Sequence, residues 1–309
     1  EAYNLYLQGR HLMTRNTQDA YAQAEDHFKD AVKLDPEFAG GWAALANIYT
    51  KRADGGSIPA DSAYELAREA ATRAIALDPQ LAYAHSQMVW ILMYRDWNWA
   101  AAEVESRKAL ALERSLSTLT TAGTLAGIMG RTEDDVSLLQ QALLVDPLSA
   151  TAHANLARSL YVSGRLEEAE ALLRRLLAMN PSFGGAQRAL GKVLLAQGRA
   201  PEALSAIEKE ASAVWRAASL PLAYHALGRS AEADAALATF IEQHGDDAGV
   251  QVAEVYAQRG DLDQAFVWLE RAYARHDGGL MDMKANRLLT PLARDPRWAA
   301  LLRKMNLPA

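Results

Sequence analysis

The feature that most constrains this chain is a short turn that keeps coming back. Gly130-Arg131, Gly164-Arg165, Gly198-Arg199, Gly228-Arg229 and Gly260-Asp261 place their glycines 34, 34, 30 and 32 residues apart. A second marker, Asp or Asn before Pro, stands at Asp35-Pro36, Asp78-Pro79, Asp146-Pro147 and Asn180-Pro181, separated by 43, 68 and 34 residues. Glycine after an apolar-periodic run supplies the left-handed residue that ends a helix, and proline after the next run forbids its continuation. Each period therefore predicts helix, tight turn, helix, stop. A chain punctuated in this way stacks as a linear array instead of closing around one central core.

Inside the periods the apolar and small residues keep fixed places. Trp42, Leu45, Ala46 and Tyr49 follow one another at steps of 3, 1 and 3, and Ala67, Ala71, Ala74 and Pro79 at 4, 3 and 5. Ala24, Phe28, Ala31 and Pro36 repeat that second set. Steps of three and four put these side chains on one helical face, and alanine lets two axes approach closely. Hydrophobic residues make up 50% of the chain, carried largely by Ala and Leu, and that mixture favours helix throughout.

Charge and composition remove several classes of function. With 32 basic and 38 acidic residues the net charge is -6, which repels phosphate backbones, so no nucleic-acid partner is expected. The chain has no cysteine, which excludes disulfides, thiolate metal sites and a Cys nucleophile together. No apolar window is long enough to span a bilayer, and "EAYNLYLQGR" lacks a basic region followed by an apolar one, so direct membrane insertion is not expected. Glu1 in place of an initiator Met reads as the start of a piece cut from something longer.

The repeated pattern resembles the tetratricopeptide repeat (TPR) family, whose 34-residue unit sets Trp, Leu, Gly, Tyr, Gly, Ala, Phe, Ala and Pro at fixed places. The resemblance implies an all-α, right-handed superhelix of about eight helix-turn-helix repeats. They would start near residues 2, 39, 82, 116, 150, 184, 214 and 246 and fill 1–280 as one continuous solenoid, with a C-terminal cap over 281–309. The last two repeats depart most, since Pro221 replaces the small residue of a first helix and the closing proline is missing from both. In the cap, Asp295-Pro296 before "RWAALLRKM" predicts a final helix with Trp298, Leu301 and Leu302 inward.

Insertions mark two of the turns. The first repeat carries three extra residues between its helices, and the second carries "RADGGSIPADS", residues 52–62, readable as a loose surface loop or as a docking loop. Asp61 and Ser62 are expected to cap the helix that follows. In "YRDWNWAAAE", residues 94–103, Asp96 falls at the glycine's place and Asn98 at the N-cap. Trp97 is then expected to pack over Ala102, with Trp99 against a neighbouring repeat.

"YLQGRHLM", "DWNWAAAE" and the C-terminal ending are also similar to the TPR regions that follow adenylate cyclase, protein kinase, winged-helix or TolB-like domains in bacterial signalling proteins. That likeness implies a regulatory or sensory arm, cytoplasmic, or periplasmic if an upstream membrane span exists.

No constellation for catalysis, metal or cofactor stands out. The seven histidines are scattered, His85 and His153 occupy the place of Trp42 and are expected to be packed, and "GTLAGIMGR" matches no phosphate-binding fingerprint. Its glycines at 123, 127 and 130 read as close-packing or helix-loosening positions. No cofactor, no metal and no enzyme activity are therefore expected.

In the resembled family the first helix of each pair lines the groove, and binding is expected there. Family-type groove places fall on Arg10, Asn47, Lys51, Tyr83, Gln87, Trp90, Tyr94, Asn155, Arg158, Tyr161, Arg188 and Lys192. Tyr6, Thr120 and Thr124 share them. Aromatics give rigid contact area, amides grip a peptide backbone, and Arg or Lys meets carboxylates. The expected partner is a protein or peptide segment, with an acidic preference around Asn155, Arg158, Arg188 and Lys192. Chaperone C-terminal tails are not expected, because Ala43 and Gln87 stand where that subgroup has lysine and asparagine. An enzyme site assembled only in three dimensions, and a self-associating scaffold forming homo-oligomers, remain as alternatives.

Overall fold

In the computed structural model, which describes residues 1–14, 17–54 and 58–307, all five turn glycines adopt left-handed φ, from 70° at Gly228 to 82° at Gly130. A Cβ is disfavoured in that region. The amide after each glycine reaches back to the preceding helix, as Arg165 N does to Leu160 O (2.9 Å) and Arg199 N to Leu194 O (2.9 Å). One bond thus closes the first helix while the second begins.

The turn in "YRDWNWAAAE" reaches the same geometry without glycine. Trp97, not Asp96, takes the left-handed conformation (φ 46°), with its indole only 6% exposed. The turn is one residue longer, which shifts the left-handed place onto Trp97 and sends the Asn98 amide to Leu92 O (3.0 Å). Asn98 is the N-cap, accepting from Ala101 N, and Trp99 is buried. A bulky residue at positive φ is uncommon, so the burial of Trp97 offsets a local backbone cost.

Among the described residues the chain is helical with no strand, and sixteen helices follow one another as eight pairs. These are α1 (Ala2–Met13) and α2 (Gln18–Leu34), α3 (Ala39–Asp54) and α4 (Ala60–Leu77), α5 (Ala82–Tyr94) and α6 (Trp99–Leu112), and α7 (Leu116–Ile128) and α8 (Thr132–Val145). Then come α9 (Ala150–Val162) and α10 (Leu166–Met179), α11 (Ala186–Ala196) and α12 (Ala200–Glu208), α13 (Ala213–Ala226) and α14 (Ser230–His244), and α15 (Gly249–Gln258) and α16 (Leu262–Ala274). Two 3-10 turns, Gly278–Ala285 and Arg287–Leu292, form a strap before the final helix α17 (Pro296–Lys304).

The chain divides into two compact units, residues 1–125 and 126–309, with the division inside α7. In the first unit α3 packs between α1 and α5; in the second, α9, α11, α13 and α15 pack in series. Within each unit, taken by itself, first helices therefore pack on first helices and each second helix packs on its own first helix. Phe28, Ile48 and Ile91 anchor the core of the first unit, and Leu139, Leu173 and Leu176 that of the second, all at most 1% exposed. Burial of each such side chain stabilises by roughly 1.5–3 kcal/mol. Gly191 permits close packing of α11 on α12, since a Cβ there would lie 2.5 Å from Ile207 Cγ1.

Several local expectations are revised. Helix α4 starts at Ala60 behind Pro59, so Asp61 and Ser62 lie in its first turn and are not its caps; Asp61 instead pairs with Arg95 (3.0 Å). Residues 15–16 and 55–57, inside the two insertions, lie outside the described residues. The joint between α12 and α13 also lacks a proline, and there a buried carboxylate ties the elements: Glu210 accepts from Gly185 N (2.9 Å), Arg188 N (3.0 Å) and Ser212 N (3.0 Å). The last helix is capped by Asp295, which accepts from Arg297 N; Pro296 sits in its first turn and Trp298, Leu301 and Leu302 are buried. His85 and His153 are buried, the first between Glu105 and Pro79 O, the second against Ser149 O.

Candidate interaction surface

In the first unit the candidate residues stand on α1, α3 and α5. Arg10 Nη1 donates to Tyr6 Oη (2.8 Å) and its guanidinium lies over the same ring at 5.6 Å. Burial pushes the Tyr83 phenol up, opposed by the nearby charge of Arg10, which places residues of α1 and α5 within electrostatic reach of each other. Asn47 Nδ2 donates to Gln87 Oε1 (2.9 Å), so this amide pair spans α3 and α5; Gln87 itself is buried. Lys51 is exposed one turn beyond Asn47. Trp90 is half-buried, donates from Nε1 to Thr121 Oγ1 (3.0 Å) and packs 5.6 Å from the Tyr94 ring. Tyr94 in turn stacks on Tyr64 at 6.3 Å. The result is a layer of aromatic rings and amides with basic groups at its edges.

In the second unit the same places are met by carboxylates of the chain itself. Arg158 on α9 faces Asp135 Oδ2 (3.3 Å) and Asp282 Oδ1 (3.3 Å). Arg188 and Lys192 on α11 converge on Glu254 of α15, at 3.3 and 3.0 Å, and Asn286 donates to that carboxylate at 2.8 Å. Burial and the charge of Arg188 lower the Lys192 ammonium to about 8 against the pull of Glu254. Burial would raise the Glu254 carboxyl, but the charges of Lys192 and Arg188 outweigh it and hold the group below its ordinary value. Tyr161 is covered by Arg287, whose Nη1 donates to Tyr161 O (3.1 Å) and whose guanidinium lies 5.4 Å from the ring. Asn155 is half-buried one turn before Arg158.

The residues that engage Arg158, Arg188 and Lys192 were not among the sequence candidates. Counting groove places into the last repeat would have found one, because Glu254 falls at the ninth residue from 246, the place that gives Arg158 and Lys192 in their repeats. Asp282, Asn286 and Arg287 lie in a segment without period, and no spacing rule reaches them. Among the described residues no group of three or more His, Asp or Glu could hold a metal ion, and no helix is long and apolar enough to cross a membrane.

The tetratricopeptide repeat family model matches residues 121–182 and 155–218, and a second model of the same repeat matches residues 252–271. The chain carries tetratricopeptide repeats. This TPR chain is similar to a solved tetratricopeptide repeat protein from Parabacteroides merdae, at 14% identity and a TM-score of 0.54, over 86% of this chain and 98% of that one. It is also similar to a human IFIT1 dimer solved with m7Gppp-AAAA (16% identity, TM-score 0.64, 89% and 72% covered). A third likeness is to pilF of Pseudomonas aeruginosa (16% identity, TM-score 0.53, 71% and 96% covered). At such identities the likeness shows the TPR fold alone. No curated protein sequence matches the chain.

Proposed function

We propose that this TPR chain is a non-enzymatic protein-interaction module whose first unit docks an extended protein segment across α1, α3 and α5. The observation that carries the reading is the contrast between the two units. Arg158, Arg188 and Lys192 are engaged by Asp135, Asp282 and Glu254, whereas Tyr83, Trp90 and Tyr94 are part-buried and keep some of their surface accessible beside the exposed Arg10 and Lys51. Aromatic rings of this kind form the energetic centre of protein interfaces, and the flanking basic groups favour a segment with some acidic character. The likeness to TPR regions of bacterial signalling proteins supports a role as the regulatory arm of a larger protein, cytoplasmic in the simplest arrangement.

The test is selection of a random peptide library on the full chain, followed by titration of recovered peptides. Trp90→Ala should weaken them by about 10–100-fold, the range of an interface hot spot, and Arg10→Glu should weaken acidic ones further. Failure to enrich any sequence, or peptides indifferent to both substitutions, overturns the proposal.

A further inference from the structure

The strap between α16 and α17 touches the rest of the second unit in two different ways. On one side it packs on α15 and α16, and Leu280, Met281, Met283, Leu288, Leu289 and Leu292 are all buried, none more than 7% exposed. Gln258 Nε2 adds a bond to Leu288 O (2.7 Å). On the other side its polar residues reach back more than a hundred residues in sequence. Asp282 meets Arg158, Arg287 meets the carbonyl and ring of Tyr161, and a Cβ on Gly164 would lie 3.3 Å from Arg287 Nη1. Lys284 lies over the turn at Gly130, its Cε 3.5 Å from where a Cβ would stand.

The two sides differ in strength. Six buried apolar side chains make the anchor on α15 and α16 permanent on the scale of any peptide's affinity. The Arg158–Asp282 pair is long, and the side chains are 25% and 41% exposed, so water and salt weaken it. We propose that the strap is a clasp, anchored on α15 and α16 and latched to α9 by Asp282 and Arg287, which opens when an acidic peptide segment takes Arg158 in place of Asp282. Asn155, one turn before Arg158 on α9, offers the incoming backbone an amide. Arg188 and Lys192 stay with Glu254, which belongs to α15 and not to the clasp. The clasp rests on the reading of the chain as a binder of protein segments and adds a second, gated site to it.

The test uses the full chain and fluorescein-labelled hexaglutamate. Asp282→Asn with Arg287→Gln releases the latch and keeps the apolar anchor. A latch that is closed most of the time divides affinity by the open fraction, so the released chain should bind hexaglutamate about 10–100-fold more tightly than the native chain. Adding Arg158→Gln should remove that gain. No gain on release, or a gain that survives Arg158→Gln, overturns the clasp. Should the released chain lose its fold, the native chain decides. Excess hexaglutamate should then speed amide exchange in 278–292 about three-fold or more while α15 stays protected. Unchanged exchange there overturns the proposal. Library peptides that depend on Trp90 report on the first unit alone, so the clasp and the docking surface fail separately.

Discussion

Asp135 is 1% exposed, accepts from Ser159 Oγ at 2.6 Å and from Arg158 at 3.3 Å, and leaves its Oδ1 without a partner. Gly127 makes room for it, since a Cβ there would lie 2.3 Å from Asp135 Oδ2. Burial pushes this carboxyl up to about 6, against the opposing pull of Arg158 and Ser159. Because the folded value lies above the ordinary 3.8, the folded state holds the proton more tightly between them. The contribution of Asp135 to stability is therefore full below that lower value and is lost as pH rises through about 6. Asp135→Asn imitates the neutral form. Between pH 4 and 7 the stability of the native chain relative to this variant should fall by about 2–3 kcal/mol, as read by urea denaturation at each pH. A difference that stays flat across that range would refute the assignment.

At the scale of helices, what could be read from sequence depended on periodicity. The Gly-Arg turns fix where first helices end, because only a left-handed residue followed by a new helix satisfies the free carbonyls. All-helical pairs and their TPR character were legible for that reason. The left-handed place was assigned to Asp96 and falls on Trp97, because the turn has one extra residue and residue type alone gave no hint that a tryptophan would take it. Nor could spacing reveal Glu210, which supplies the joint where closing proline is absent. Its carboxylate serves three backbone amides at the starts of α11 and α13. Glu210→Ala leaves those donors unpaired in a buried place and should cost about 2–4 kcal/mol, with amide exchange accelerating first at 185–188 and 212–215. Stability within 0.5 kcal/mol of native would show that water replaces the carboxylate at no cost.

At the scale of the second unit, α9, α11, α13 and α15 pack in series, so the last helix pair needs a lid. Helix α17 lies along α16, with Trp298, Leu301 and Leu302 buried and Met305 and Leu307 continuing the buried set. Arg297 pairs with Asp263 (2.8 Å) and Lys304 with Glu270 (2.7 Å), but these bridges are exposed and add at most about 1 kcal/mol each. The lid is therefore held by its apolar side chains. Leu301→Asp buries a charge with no partner, and α17 should lift from α16 in response. The melting temperature should drop by several degrees, because the loss falls in the range of about 2–5 kcal/mol for a disrupted core position. Light scattering should show association through the uncovered face of α16, whereas Arg297→Ala at the exposed bridge should leave both size and melting nearly unchanged. If Leu301→Asp and Arg297→Ala behave alike, α17 is not the lid of the array.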